Sequence, residues 1–200
     1  MRLLQAERVW FHYPDQTKHV IEDLGFHLDP GEIVQLVGRN GTGKTTALKL
    51  VAGLLEPTRG AIQSAPNTRR IYMDQNAASM LAPDLTVADH FRAFVDRTTP
   101  DKANPLLELR KFDVGLEDRQ DAFVGQLSGG QAQILALIIA ILGGYELILL
   151  DEFTAHLDSK STQGANELVS LAVSQYGKTA LIVTHLQTDL RVDRSISLNN

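Results

Sequence analysis

The chain has 200 residues, 44% of them hydrophobic and 22% charged, which is globular composition and enough length for one domain whose core divides into two lobes at most. A formal net charge of −5 argues against nucleic acid held by bulk electrostatics, because backbone binding needs clustered Lys and Arg to displace counterions from phosphate. With no cysteine, a disulfide framework, a thiolate metal site and a cysteine nucleophile are excluded, and the six histidines form no pair at metal-ligand spacing.

The first ten residues, MRLLQAERVW, carry charge where a secretory leader needs an unbroken apolar stretch, so export is not expected. Residues 2–9 and 19–28 mix apolar, polar, β-branched and aromatic positions around a turn-like YPDQ at 13–16, which predicts an antiparallel hairpin. After Pro30-Gly31 the pattern changes. Ile33 to Val37 reads as a buried strand, a glycine-rich turn follows, and Ala47, Leu48, Leu50, Val51, Leu54 and Leu55 recur at helical spacing.

A further strand is expected at Arg69 to Met73, and Pro83 to Val95 has helical periodicity opened by Pro83 and Asp84, with Thr86 as an alternative cap further in. Pro100 to Pro105 is a polar break. From Leu127 a second glycine-rich turn opens the most apolar run of the chain, Ile134 to Leu142, which is far short of the roughly 20 residues that cross a bilayer and reads as a buried helix. Leu147 to Leu150 and Ala180 to Thr184 are apolar strands that end in Asp151-Glu152 and in His185. Apolar strands alternating with helices, with polar residues at the strands' carboxyl ends, predict a parallel α/β sheet with its ligand along that edge.

Gly38-Arg39-Asn40-Gly41-Thr42-Gly43-Lys44-Thr45, followed by Thr46, matches G-x-x-x-x-G-K-[ST] between a strand and a helix. Glycines let backbone N–H groups converge on phosphate oxygens, the helix N-terminus adds its positive dipole end, Lys44 supplies a point charge, and the Thr45 hydroxyl ligates Mg²⁺. Such a site takes a nucleoside triphosphate with Mg²⁺. It calls for a carboxylate on a later strand to orient the metal's waters and a base for the attacking water, and Asp151 and Glu152 supply both. Without the phosphate loop, an Asp-Glu pair after an apolar strand would read as a solvated strand end.

Leu127-Ser128-Gly129-Gly130-Gln131 then resembles the LSGGQ signature of the ATP-binding cassette (ABC) family, in this order between Lys44 and Asp151. The resemblance covers nearly the whole chain. It implies a phosphate-loop NTPase core with a mainly parallel sheet, an N-terminal antiparallel β region, and a helical subdomain over roughly residues 76–135, all in one domain. It also implies a head-to-tail dimer, most simply of identical chains, in which each γ-phosphate lies between the phosphate loop of one subunit and the Ser128 turn of the other. ATP hydrolysis would drive a transmembrane permease from the cytoplasmic face of the membrane, with no insertion of this chain into it.

Further positions acquire roles only through that resemblance. Gln75 matches the Q-loop glutamine that touches Mg²⁺ and the water; His185 matches the H-loop histidine on the γ-phosphate. Tyr13 is similar to the A-loop aromatic that stacks on adenine, and its plain alternative is a hairpin core aromatic. Asp158, within Ala155-His156-Leu157-Asp158, matches the D-loop aspartate that links the two composite sites. The groove beside the Q-loop, with Met80 and Leu81 in Asn76 to Pro83, is the expected partner surface; packing within the helical lobe is the alternative for those two side chains.

Departures from the family pattern are as informative. His156 replaces a small residue, Phe153 stands where proline usually follows the catalytic glutamate, and Ala132 to Ile139 is apolar where basic residues are common. That apolar helix either packs into its own lobe or faces an apolar partner. With Asn200 following soon after Asp193-Arg194, the family's closing strand hairpin is expected to be clipped and no C-terminal regulatory domain is expected. Cassettes that act on the ribosome or on DNA are the competing reading, but they would bring a second cassette with a basic linker, or a long coiled coil between Gln75 and Ser128. A regulatory module without turnover is disfavoured by the presence of Lys44, Asp151, Glu152 and His185. Lys44→Ala is expected to abolish ATP binding, measured with a fluorescent ATP analogue; retained affinity would remove the phosphate-loop reading.

Overall fold

The computed structural model describes residues 2–94, 115, 116, 118–184 and 190–198. Two sheets carry it. Strands β1 (Leu4–Phe11), β2 (Ile21–Leu28) and β4 (Arg59–Ser64) form an antiparallel sheet in the order β2-β1-β4. The expected hairpin is β1 with β2, paired from Leu4↔Leu28 to Phe11↔Ile21 with register shifts on either side of Val9, and the Gln16 N–H closes its turn on the Tyr13 carbonyl at 3.0 Å. The third strand carries no strong periodicity. It is recruited because its backbone can pair with the free edge of β1, and Gly60 passes so close to the Arg8 carbonyl that a side chain there would collide.

The second sheet is entirely parallel and holds β3 (Ile33–Val37), β5 (Arg70–Met73), β6 (Leu147–Asp151), β7 (Thr179–Val183) and β8 (Arg194–Ser197), in the order β5-β6-β7-β3-β8. Every residue of β6 and β7 is buried. Alternation then sends successive side chains to opposite faces. Ile148, Leu150, Ala180 and Ile182 enter one apolar core, and Leu147, Leu149, Leu181 and Val183 enter the other. At the C-terminal side, Arg194–Ser197 forms an edge strand parallel to β3. Arg194 anchors it by donating to both oxygens of Glu32, at 2.9 and 2.6 Å, just before β3.

Helix α1 (Lys44–Ala52) packs into the core shared with the antiparallel sheet, and ends where Gly53 takes a left-handed φ of 76°. On the other face lie α2 (Val87–Phe94), α3 (Gly129–Leu142) and α4 (Ser159–Ser174). Thr86 is the cap of α2: its hydroxyl accepts the Asp89 N–H at 3.1 Å, and the Asp89 carboxylate accepts both the Thr86 N–H and hydroxyl. All residues of α3 from Ala132 to Leu142 are buried, so the apolar helix after the second glycine turn packs into its own fold. Helix α4 has little signal in the sequence, because its polar composition weakens the apolar stripe; Asp158 starts it by accepting the Ser161 N–H at 2.7 Å.

Because β6 is buried on both faces, truncating it opens a void that neither core can collapse to fill. Leu149→Ala is expected to cost about 2–5 kcal/mol, read from urea unfolding of the two proteins.

Candidate functional site

Parallel strands point their carboxyl ends one way, so β3, β5, β6 and β7 deliver the residues that follow them to a common edge. After β3 the chain turns through Gly38 to Gly43 into α1. Gly43 is the N-cap of that helix with φ 88°, and a Cβ there would sit 2.8 Å from Ile21 Cδ1 and 2.9 Å from the Val20 carbonyl oxygen. Only glycine fits both the left-handed backbone and the gap. No side chain caps the helix, so its first N–H groups face outwards as an anion cradle.

Lys44 is buried, and its ammonium donates to the carbonyls of Gly38 and Arg39 at 2.9 and 3.0 Å. Two of three ammonium protons are thus used to hold the loop's shape, which leaves a donor for a ligand. Val20, Asn40, Gly41, Gly43, Lys44, Thr45, Thr46 and Glu152 line one open cleft of about 450 Å³. Residues far apart in sequence, the glycine loop and Glu152, therefore share one cleft. Thr42 accompanies them less directly, its hydroxyl donating to the Arg39 carbonyl at 2.9 Å inside the loop.

Glu152 has φ 50°, a left-handed backbone that costs an acidic residue of order 1–3 kcal/mol and persists only when neighbours over-determine it. They do. Its N–H donates to the Val183 carbonyl and its own carbonyl accepts the Ala155 N–H, both at 2.9 Å. One residue earlier Asp151 is buried, with its oxygens in different situations. Oδ2 accepts the Tyr72 hydroxyl at 2.9 Å, whereas Oδ1 is buried without a hydrogen-bond partner. A carboxylate oxygen shut away from water is tolerated where a cation or its bound water can reach it.

Tyr72 went unnoticed in the sequence. Strand β5 pairs with β6 through Tyr72↔Leu149, which brings the hydroxyl to Asp151, and burial, reinforced by the Asp151 charge, pushes the phenol well above its ordinary pKa. The phenol therefore stays a donor throughout the working pH range. A polar tip in the otherwise apolar RIYM was the one available signal. Gln133 was missed too, just ahead of the apolar run that begins at Ile134; it is buried, its Oε1 accepting the Ala78 N–H at 3.1 Å and its Nε2 donating to the Phe153 carbonyl at 3.2 Å.

The remaining expected residues divide. Tyr13 reaches the cradle, its hydroxyl 3.1 Å from Thr46 Oγ1, while its ring also packs edge-on against Phe11 at 4.9 Å in the core. Gln75 is exposed in the turn after β5, and the pairing Met73↔Leu150 places it at the edge where Glu152 emerges. His185 falls outside the described residues. Ser128 caps α3, accepting the Gln131 N–H at 3.2 Å while Gln131 Oε1 accepts the Ser128 N–H at 3.1 Å. Ser128 and Gly129 are exposed, a Cβ on Gly129 would meet nothing, and neither lines the cleft of Lys44. Gly130 instead faces Leu157 and Ser161 at the start of α4.

Asp158 is exposed and caps α4; the Ser161 N–H holds its carboxyl below the usual carboxylate range. Phe153 is buried in the core beside α3, whereas His156 is exposed. Met80 is exposed and Leu81 is buried, so of the two only Leu81 packs within the lobe. Among the described residues no group of three or more His, Asp or Glu could hold a metal, and no helix is long and apolar enough to cross a membrane.

An anion cradle on α1 and a carboxylate pair two strands away, held to one sheet edge, define the class of phosphate-loop NTPases. Within it the particular assignment comes from comparison. Residues 21–155 match the profile of the ABC transporter family, and the chain belongs to that family. It is 34% identical to the aliphatic sulfonates import ATP-binding protein SsuB 1 of Rhodococcus jostii over 86% of this chain and 69% of that one. It is 36% identical to the Nod factor export ATP-binding protein I of Burkholderia thailandensis, over 93% and 64%. The chain thus spans about two thirds of the length of these relatives. Among solved structures, an ATP-binding subunit of an ABC transporter superposes with TM-score 0.74 and 29% identity, covering 92% of this chain and 80% of that one. A dimeric ATP-binding cassette in a post-hydrolysis state with ADP and Pi shares the fold at TM-score 0.77 and 24% identity, over 98% and 94%.

Tyr72→Phe deprives a buried carboxylate of its donor. The variant is expected to lose about 1.5–3 kcal/mol of stability in urea melts and to need more Mg²⁺ for half-maximal ATP turnover in a metal titration.

Proposed function

We propose that this chain is the ATP-hydrolysing subunit of an ABC transporter and works as a head-to-tail dimer, most simply of two identical chains. The observation that carries the reading is the split of the site. Lys44, Thr45 and Glu152 line one cleft, while Ser128 and Gly129 of the same chain sit exposed elsewhere, at the start of α3. A second copy that laid its Ser128 turn over this cleft would complete the grip on the triphosphate. Closure would then be favourable because the nucleotide's charge is shared by donors from both chains.

In that dimer the N–H groups of the glycine loop, with Lys44, would hold the β- and γ-phosphates, and Tyr13 would pack on the adenine. Residues Gly38, Arg39, Asn40, Gly41, Thr42, Gly43 and Thr46 shape that cradle, and Gly130 and Gln131 support Ser128 in the opposing turn. Magnesium fits the donors present: Thr45 offers a hydroxyl, Gln75 an amide oxygen, and Asp151 the orphaned Oδ1. Such a site, short of an all-protein cage, suits an ion that keeps its waters and binds with substrate phosphates. Bound there, Mg²⁺ would neutralise phosphate charge and orient the leaving group. Glu152, aimed into the cleft by its fixed backbone, would take the proton of the attacking water, and His185 would donate to the γ-phosphate. Asp158 would relay closure between the two sites.

The transport assignment rests on the family match and on relatives named as ATP-binding proteins of both importers and exporters. On it, the helical lobe over roughly residues 76–135 meets a transmembrane permease at the cytoplasmic face, with Met80 in the contact. Two experiments test the reading. Glu152→Gln is expected to bind ATP yet accumulate as an ATP-bound dimer, with turnover lowered about 10²-fold or more, seen by size exclusion and phosphate release. Unchanged turnover would remove Glu152 from the role, and co-purification with ribosomes or DNA in place of an integral membrane protein would overturn the transport assignment.

A further inference from the structure

Among the buried residues of α3, Gln133 is the one polar side chain. An amide in such surroundings is disfavoured unless its oxygen and nitrogen are both satisfied, and an apolar residue of the same size would pack there without that demand. Gln133 meets the demand by spanning two segments that do not otherwise adjoin in sequence. Its oxygen holds Ala78, in the 3₁₀ turn Ala77–Met80 that follows Gln75; its nitrogen holds the carbonyl of Phe153, the residue after Glu152.

Both ends of this bridge are stiff. Ala77 is fully buried, so the turn cannot slide without disturbing the core. At the other end Glu152 is pinned in a left-handed conformation by the Val183 carbonyl of the neighbouring strand and the Ala155 N–H of its own turn, and Phe153 is buried. Movement of the Ala78 backbone would therefore pass through the amide to the Phe153 carbonyl, which lies inside the turn that the Ala155 N–H closes on the Glu152 carbonyl, and so bear on the backbone that aims Glu152. The turn it starts from carries exposed Met80, on the surface assigned above to the permease.

Resting on the ATPase reading above, we infer that Gln133 is a positioning residue: it sets the direction of the Glu152 carboxylate according to the placement of the Ala77–Met80 turn. It touches neither nucleotide nor water. Its loss therefore acts on the chemical step and leaves nucleotide binding alone, because neither Gln133 nor Ala78 nor Phe153 lines the cleft that holds Lys44 and the glycine loop.

Gln133→Met, unbranched and apolar, fills the volume while breaking both bonds. In the full chain, kcat for ATP is expected to fall about tenfold, with KM and the affinity for a fluorescent ATP analogue unchanged, since small misplacement of a catalytic group is felt in the rate. An unaltered kcat would overturn the inference; so would a joint decline of kcat, nucleotide affinity and thermal midpoint, which marks a merely structural role. Hydrogen exchange of the unaltered protein provides a reading that needs no variant. MgATP should raise protection at the Ala78 amide and across Phe153 to Ala155 together, and independent responses would overturn the bridge. If the unaltered protein turns over no ATP, the ATPase reading fails and takes this inference with it; a negative variant result in an active enzyme leaves that reading standing.

Discussion

The constraint on which the rest of this structure depends is the complete burial of β6 and β7. Strands covered on both faces have no room for polar side chains along their length, so everything polar must wait for the strand ends. Leu147 to Leu150 discharge into Asp151 and Glu152, and Ile33 to Val37 into the glycine loop. Parallel pairing makes those ends coincide. A hydrophobic requirement thus concentrates the reactive groups along one edge before any of them has a partner.

Local backbone choices refine what the sheet sets up. Gly43 occupies a left-handed position crowded by Ile21 and Val20, which ties the cradle to the β1–β2 sheet as well as to β3. Tyr13, on the turn of that hairpin, adds a second tie through Thr46. Glu152 is strained in the same sense, and the bonds that hold it come from β7 and from its own turn. Strain of this kind persists only at a place where the surrounding structure leaves no alternative, and here it turns a carboxylate into the cleft.

The apolar helix α3 shows how departures from a family pattern are absorbed. Ala132 to Leu142 lacks the basic residues common there, and the helix is buried all round between the parallel sheet and its neighbouring helices. Phe153, in place of proline, fills the same core from the end of β6. Fully burying each Leu or Ile of α3 contributes roughly 1.5–3 kcal/mol relative to an exposed one, so the lobe is held firmly on the sheet. Gln133 is the sole interruption among its buried residues, and both of its polar ends are answered.

Much of this was legible from the residues themselves. The phosphate loop, the strands into Asp151 and Thr184, the Thr86 cap and the hairpin around residues 13–16 are local signals, because glycine spacing, apolar runs and capping side chains act over a few residues. Long-range pairing is not local, and there the tertiary structure decided. It drew Arg59–Ser64 onto the edge of β1, and laid Arg194–Ser197 beside β3 as a parallel edge strand. It brought the Tyr72 hydroxyl to Asp151 and set Gln133 across two distant turns. A side chain's partner in these cases lies tens of residues away, so only the packing of sheet against helix, and no pattern along the chain, could choose it.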